Sequence, residues 1–153
     1  MRIETVRIER RTRRIGRMQG VSRTLGVAAA NRREFAKAIA ALGQVRGMST
    51  PFRGDPASEI IANFTLSTAF RELGYDRASI ETALLALDLP EDLLTTPHAA
   101  RLASVYRQRG ELWRAVGDAH CRLREYEKSL ESYATSISLP TACAGLVTIY
   151  DAA

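Results

Sequence analysis

The chain has 153 residues, 46% of them hydrophobic and 25% charged, with a net charge of +5. That is enough for one domain with a substantial core, and no run approaches the ~18 consecutive apolar residues of a membrane-crossing helix. Two cysteines, Cys121 and Cys143, form no metal-binding spacing; they read as reduced, buried thiols, which points to an intracellular reducing compartment.

The charge is unevenly placed. Residues 1–47 hold eleven Arg and one Lys against three Glu, a net +9, and the remainder holds ten basic and fourteen acidic residues, a net −4. Arg outnumbers Lys twenty to two, and guanidinium groups suit phosphate and carboxylate contacts. The chain divides into a basic N-terminal arm (1–47), a linker (48–54) and a helical body (55–153).

In chain order, residues 1–24 are Arg-rich, and Ile3, Val6, Ile8 and Ile15 fit neither helix nor strand spacing. This segment is expected to be extended and to order on a partner. Residues 31–46 read as an amphipathic helix with Asn31 as cap, Glu34 completing a capping box, and Phe35, Ile39 and Leu42 as its apolar stripe. Asp55-Pro56 starts the next helix, carrying Ile60, Ile61, Phe64, Phe70 and Leu73 to a stop at Gly74. A helix over 77–89 turns Ile80, Ala83, Leu84 and Leu87 inward and breaks at Leu89-Pro90, before a turn over 91–95. Thr96-Pro97 caps a helix with Leu102, Val105 and Tyr106 on the core side. Over 112–123, Leu112, Val116, Ala119 and Leu123 share a stripe. Over 126–138, Tyr126, Leu130, Tyr133 and Ile137 form another. The short link Arg124–Glu125 favours antiparallel neighbours, and Pro140 stops the second helix. Residues 141–150 allow a terminal helix through Leu146 and Ile149, or a strand.

Trp113, Val116, Gly117 and His120, followed by Ser129, Tyr133 and Pro140, have a spacing that resembles one tetratricopeptide repeat. Val116, His120, Ser129 and Tyr133 stand where that family prefers Leu, Tyr, Ala and Phe. The resemblance covers residues 110–140. It implies two antiparallel helices packing on copies of themselves, and a scaffold rather than a catalyst. One such unit cannot bury its face alone; about three are needed. A further hairpin is hinted at by residues 74–90, which resemble 125–140: Tyr75 matches Tyr126, Ile80 matches Leu130, and Leu87 matches Ile137. Chance similarity between two amphipathic helices is the rival reading. The expected fold class is all-α, tetratricopeptide-like antiparallel helical hairpins with a basic extended N-terminal arm.

No catalytic, cofactor-binding or metal-binding motif stands out. The glycines at 16, 20 and 26 form no phosphate-binding loop. His120 occupies an aromatic core position, where a packed imidazole is the default, and His98 reads as a surface residue. Three readings of the arm stay open. It is a solvated tail; or Arg10, Arg11, Arg13, Arg14 and Arg17 meet an anionic partner, RNA or protein; or it is a mitochondrial presequence ending near Met48, against which Glu4, Glu9 and Glu34 count. The function expected is a non-catalytic scaffold or adaptor, an accessory subunit among other protein subunits of a larger assembly, mitochondrial or else cytoplasmic. The alternative is a ribosomal or ribonucleoprotein component that binds RNA through the arm. No cofactor is expected.

Overall fold

A computed structural model describes residues 2–48, 56–88, 93 and 99–139. Residues 49–55, 89–92, 94–98 (with Thr96, Pro97 and His98) and 140–153 (with Pro140 and Cys143) lie outside them, with the caps, the terminal helix and most of the turn and linker expected there; Met48, expected in the linker, ends a helix instead. The described residues are all-helical: α1 (Arg2–Asn31), α2 (Phe35–Met48), α3 (Pro56–Glu72), α4 (Asp76–Leu87), α5 (Ala99–Arg107), α6 (Arg109–Arg122) and α7 (Tyr126–Ser138). No helix is long and apolar enough to cross a membrane.

An extended segment is expected over residues 1–24, but residues 2–24 are helical, part of the 30-residue α1. Arg is a good helix former, no proline interrupts the run, and Glu9 stands four residues before Arg13, a spacing that favours a helix. Nor does Asn31 start the second helix. It ends α1, and Glu34 flanks α2, its carbonyl accepting the Ala38 N–H at 3.0 Å.

Three hairpins share one turn. Arg33, Gly74 and Arg124, 41 and then 50 residues apart, have φ of 61°, 80° and 60°. The next residue in each case donates its N–H to the carbonyl five back: Glu34 to Ala29, Tyr75 to Phe70 and Glu125 to His120, each at 2.9 Å. The left-handed residue itself donates three back, to Ala30, Arg71 and Cys121. This pair of bonds ends a helix and satisfies carbonyls its last turn leaves free. Gly74 adopts the left-handed conformation without the steric cost that Arg33 and Arg124 bear. The hairpins are therefore α1–α2, α3–α4 and α6–α7, and α5 is an insertion that lengthens the second interval.

The turns fix a common register. Gly26, Ser67 and Gly117 are equivalent on the first helices, and Ala38, Ser79 and Ser129 on the second. All six are small enough to bring the helices close, and the serines add a bond: Ser79 Oγ donates to Ser67 O at 2.9 Å, and Ser129 Oγ to Gly117 O at 2.8 Å. In this register Tyr75 matches Glu125 rather than Tyr126, while Ile80 with Leu130 and Leu87 with Ile137 match as the sequence suggested.

Successive hairpins are joined by apolar clusters. Ala38 and Leu42 of α2 pack on Ala62 and Leu66 of α3. Ile80, Ala83 and Ala86 of α4 pack on Leu112, Val116 and Ala119 of α6. Leu102 and Val105 of α5 cover Ala57 and Ile60 of α3, and Arg23 of α1 and Arg101 of α5 both donate to Ser58 Oγ.

Three burial expectations are corrected. Leu84 is exposed, and Ala86 takes the inward place. Cys121 is exposed, near the end of α6. Of the apolar stripe on α7, Tyr133 meets α6 at Gly117, but Tyr126, Leu130 and Ile137 are exposed, and Ser129 and Ser132 are the buried residues. A repeat helix has one face for its hairpin partner and another for the next hairpin. Periodicity finds the apolar stripe without saying which neighbour covers it.

Candidate interaction surfaces

The residues singled out at 110–140 do come together. Val116, Gly117, His120 and Ser129 are buried, and Trp113 and Tyr133 are half-buried. A Cβ added to Gly117 would lie 2.7 Å from Tyr133 Cε1, so the ring occupies the space that glycine leaves. The Tyr133 hydroxyl donates to Asp118, and that bond holds its proton more tightly than in an ordinary tyrosine.

His120 Nδ1 lies 2.7 Å from Glu125 Oε2. The same carboxylate receives Arg77 Nη2 at 2.8 Å, and Lys128 Nζ stands 3.8 Å away. Beside it, Arg122 donates twice to Asp76 Oδ1, at 2.9 and 2.7 Å. Two ion pairs thus tie the start of α4 to the turn of the last hairpin. Their partners are 46 and 48 residues apart, and no local spacing announces them. An imidazole on a carboxylate can serve proton transfer, but His120 is only 8% exposed and lines neither groove described below. The arrangement is suited to holding the α6–α7 turn against α4.

The bond to His120, and then that from Arg77, keep Glu125 below the ordinary glutamate value of 4.5. A carboxylate lowered on folding stabilises the fold fully above its unfolded value, and that contribution is lost as pH falls through the folded one. The melting temperature is therefore expected to fall as pH drops below about 4.5. Glu125→Gln should melt lower at neutral pH and lose less on acidification. Equal acid losses in the two proteins would remove Glu125 as a source of the pH dependence.

Two grooves are open. One, of about 550 Å³, is lined by Phe70, Gly74, Tyr75, Asp76, Arg77, Ala78 and Leu123, between the turns of the second and third hairpins. The other, about 190 Å³, is lined by Pro56, Glu59, Ile60, Asn63, Leu85, Asp88 and Leu93. Asn63 Oδ1 is buried there without a hydrogen-bond partner among the described residues. No group of three or more His, Cys, Asp or Glu poised for a metal occurs among the described residues.

Arg10, Arg11, Arg13, Arg14 and Arg17 are all exposed on α1. Helical geometry groups them on one side. Arg10, Arg14 and Arg17 follow at i, i+4, i+7; Arg13 adjoins Arg17 on one flank and Arg11 adjoins Arg14 on the other. Arg7, Arg11, Arg14, Met18, Val21 and Leu25 continue one stripe at alternating four- and three-residue steps. Met18, Val21 and Leu25 are exposed. The outer face of α1 is thus basic over one half and apolar over the other, a period that becomes visible once the helix is continuous. Compared with known proteins, the chain matches no family model, no curated protein and no solved structure.

Proposed function

We infer that this chain is a non-catalytic helical scaffold of the tetratricopeptide-like kind, an accessory subunit that docks within a larger assembly. The observation that carries this reading is the recurrence of one turn and one close helix contact in three hairpins. Three units of this kind supply neighbours that a lone unit lacks. They also leave outer helix faces free for partners, here the arginine face of α1 and the apolar face of α7.

The partner of α1 is anionic: Arg10, Arg11, Arg13, Arg14 and Arg17 hold five positive charges within about 11 Å of helix axis. The full tagged chain is expected to co-purify with defined protein subunits. Replacing Arg10, Arg11, Arg13, Arg14 and Arg17 together by Ala should remove them and flatten the salt dependence of their binding. The melting temperature should stay within a few degrees, since all five side chains are exposed. Unchanged partner recovery by the five-fold variant would overturn the role given to this face.

A second reading, an RNA-binding component of a ribonucleoprotein, rests on the same arginine row, whose charges suit backbone phosphates. Recovery of RNA, with protein partners lost after ribonuclease treatment, would select it. Ala38 and Leu42 are fully buried, against Ala62 and Leu66. Loss of residues 1–47 would uncover that cluster, which supports α1 and α2 acting together with the body rather than as a cleaved leader.

A further inference from the structure

Each joint between hairpins has two halves. The second helix of one hairpin supplies Ile39 and Leu42, or Ile80, Ala83 and Leu87. The first helix of the next supplies Ala62 and Leu66, or Leu112 and Val116. The register fixed by the turns shows what the two outermost helices carry. Val21 is equivalent to Ala62 and Leu112, and Leu25 to Leu66 and Val116. At the other end, Leu130 is equivalent to Ile39 and Ile80, and Ile137 to Leu87. Inside the chain these positions are buried or half-buried. At the ends they are open: Val21 is 60% and Leu25 61% exposed, Leu130 68% and Ile137 85%. Among the described residues, α1 carries the receiving half of a joint and α7 the inserting half.

We propose that α7 of one copy of this chain packs on α1 of a second copy, head to tail, completing between molecules the joint that recurs within one. The register favours this pairing over like-on-like contacts. Within the chain the start of α4 lies at the end of α6, where Asp76 meets Arg122. The same antiparallel joint sets Ile137 level with Val21 and brings Leu130 towards the Leu25 end of α1, apolar residues to apolar ones. Two α1 helices side by side would set Arg7, Arg11 and Arg14 against one another or, reversed, against Leu25, Val21 and Met18. Two α7 helices would bring exposed Glu127 and Glu131 against their own copies. Such a contact is heterologous, so copies add head to tail, into an open row or a ring. The pairing stands on the register and goes beyond the scaffold role argued above.

The test uses the purified full chain alone, so its failure leaves the anionic-partner reading untouched. In sedimentation velocity the mass is expected to rise above the 16.9 kDa of one chain as concentration increases. Val21→Glu and Leu130→Glu should each hold it at one chain, with unchanged helical circular dichroism and melting temperature because both sites are exposed. Mixed in equal amounts, the two variants should recover a species of twice the chain mass and nothing larger. Each retains the half that the other lacks, and the pair has no working face left. A wild type that stays at one chain mass overturns the proposal. Association that survives either substitution, or a mixture that yields no dimer, overturns it equally.

Discussion

Leu66→Ala is expected to destabilise the protein by about 2–5 kcal/mol, the range for truncating a buried leucine. Leu66 is 1% exposed on α3. It packs with Ala38, Leu42 and Ala62, and Ile39 and Phe70 border the same cluster. The surroundings cannot readily collapse into the space left behind, because α3 is held by α2 on this side and by α4 and α5 elsewhere. For a chain of this length a loss of that size lowers the melting temperature by on the order of 10 °C. Leu130→Ala supplies the contrast. The residue types are identical, but Leu130 is 68% exposed, and at concentrations where the chain is a monomer the change should stay within about 0.5 kcal/mol. Urea unfolding followed by helical circular dichroism measures both. Similar costs for the two would mean that α2 does not cover α3 as described, and that the first hairpin is not part of the core.

That pair of leucines also marks how far the sequence could be read. The all-helical fold was legible because apolar residues recur at three- and four-residue steps in most segments. The last hairpin was legible because Trp113, Gly117, Ser129 and Tyr133 combine a large aromatic, a close approach and a second aromatic at fixed spacing. The other hairpins hide the same plan. Ser67 and Ser79 stand where Gly117 and Ser129 do, and small residues of this kind occur anywhere in a helix. In the first hairpin the arginines dominate the composition, and Gly26, Ala38 and Leu42 are spread across what reads as an arm and a separate helix. The intervals of 41 and 50 residues differ because α5 is inserted, so no fixed period appears. Of the candidate surfaces, the exposed arginines were named from composition alone. The apolar continuation through Met18, Val21 and Leu25 needed the helix. The pairs Arg122–Asp76 and Arg77–Glu125 needed the packing of α4 on α6, since charged residues so far apart carry no mutual signal in the chain.

Gly26→Leu should be more damaging than Gly117→Leu, although both glycines hold the same position in their hairpins. A Cβ at Gly26 would fall within the Leu42 side chain, and Leu42 is fully buried, with α3 behind it. It has nowhere to go, so the added atoms must push α1 and α2 apart. At Gly117 the obstacle is the Tyr133 ring, 2.7 Å from the added Cβ. That ring is half-buried and reaches solvent, so it can rotate outwards at the loss of its bond to Asp118. Overpacking costs typically ~1–3 kcal/mol and occasionally more. Gly117→Leu is expected in the lower part of that range and Gly26→Leu at its upper end or beyond. Gly20 is the control on the same helix as Gly26. Nothing lies within 4 Å of a Cβ placed there, so Gly20→Ala should stabilise by up to about 1 kcal/mol through helix propensity alone. Thermal unfolding of the three variants beside the wild type gives the order. If Gly26→Leu behaved like Gly20→Ala, α1 would not approach α2 at Gly26, and the register that equates Gly26 with Gly117 would fail.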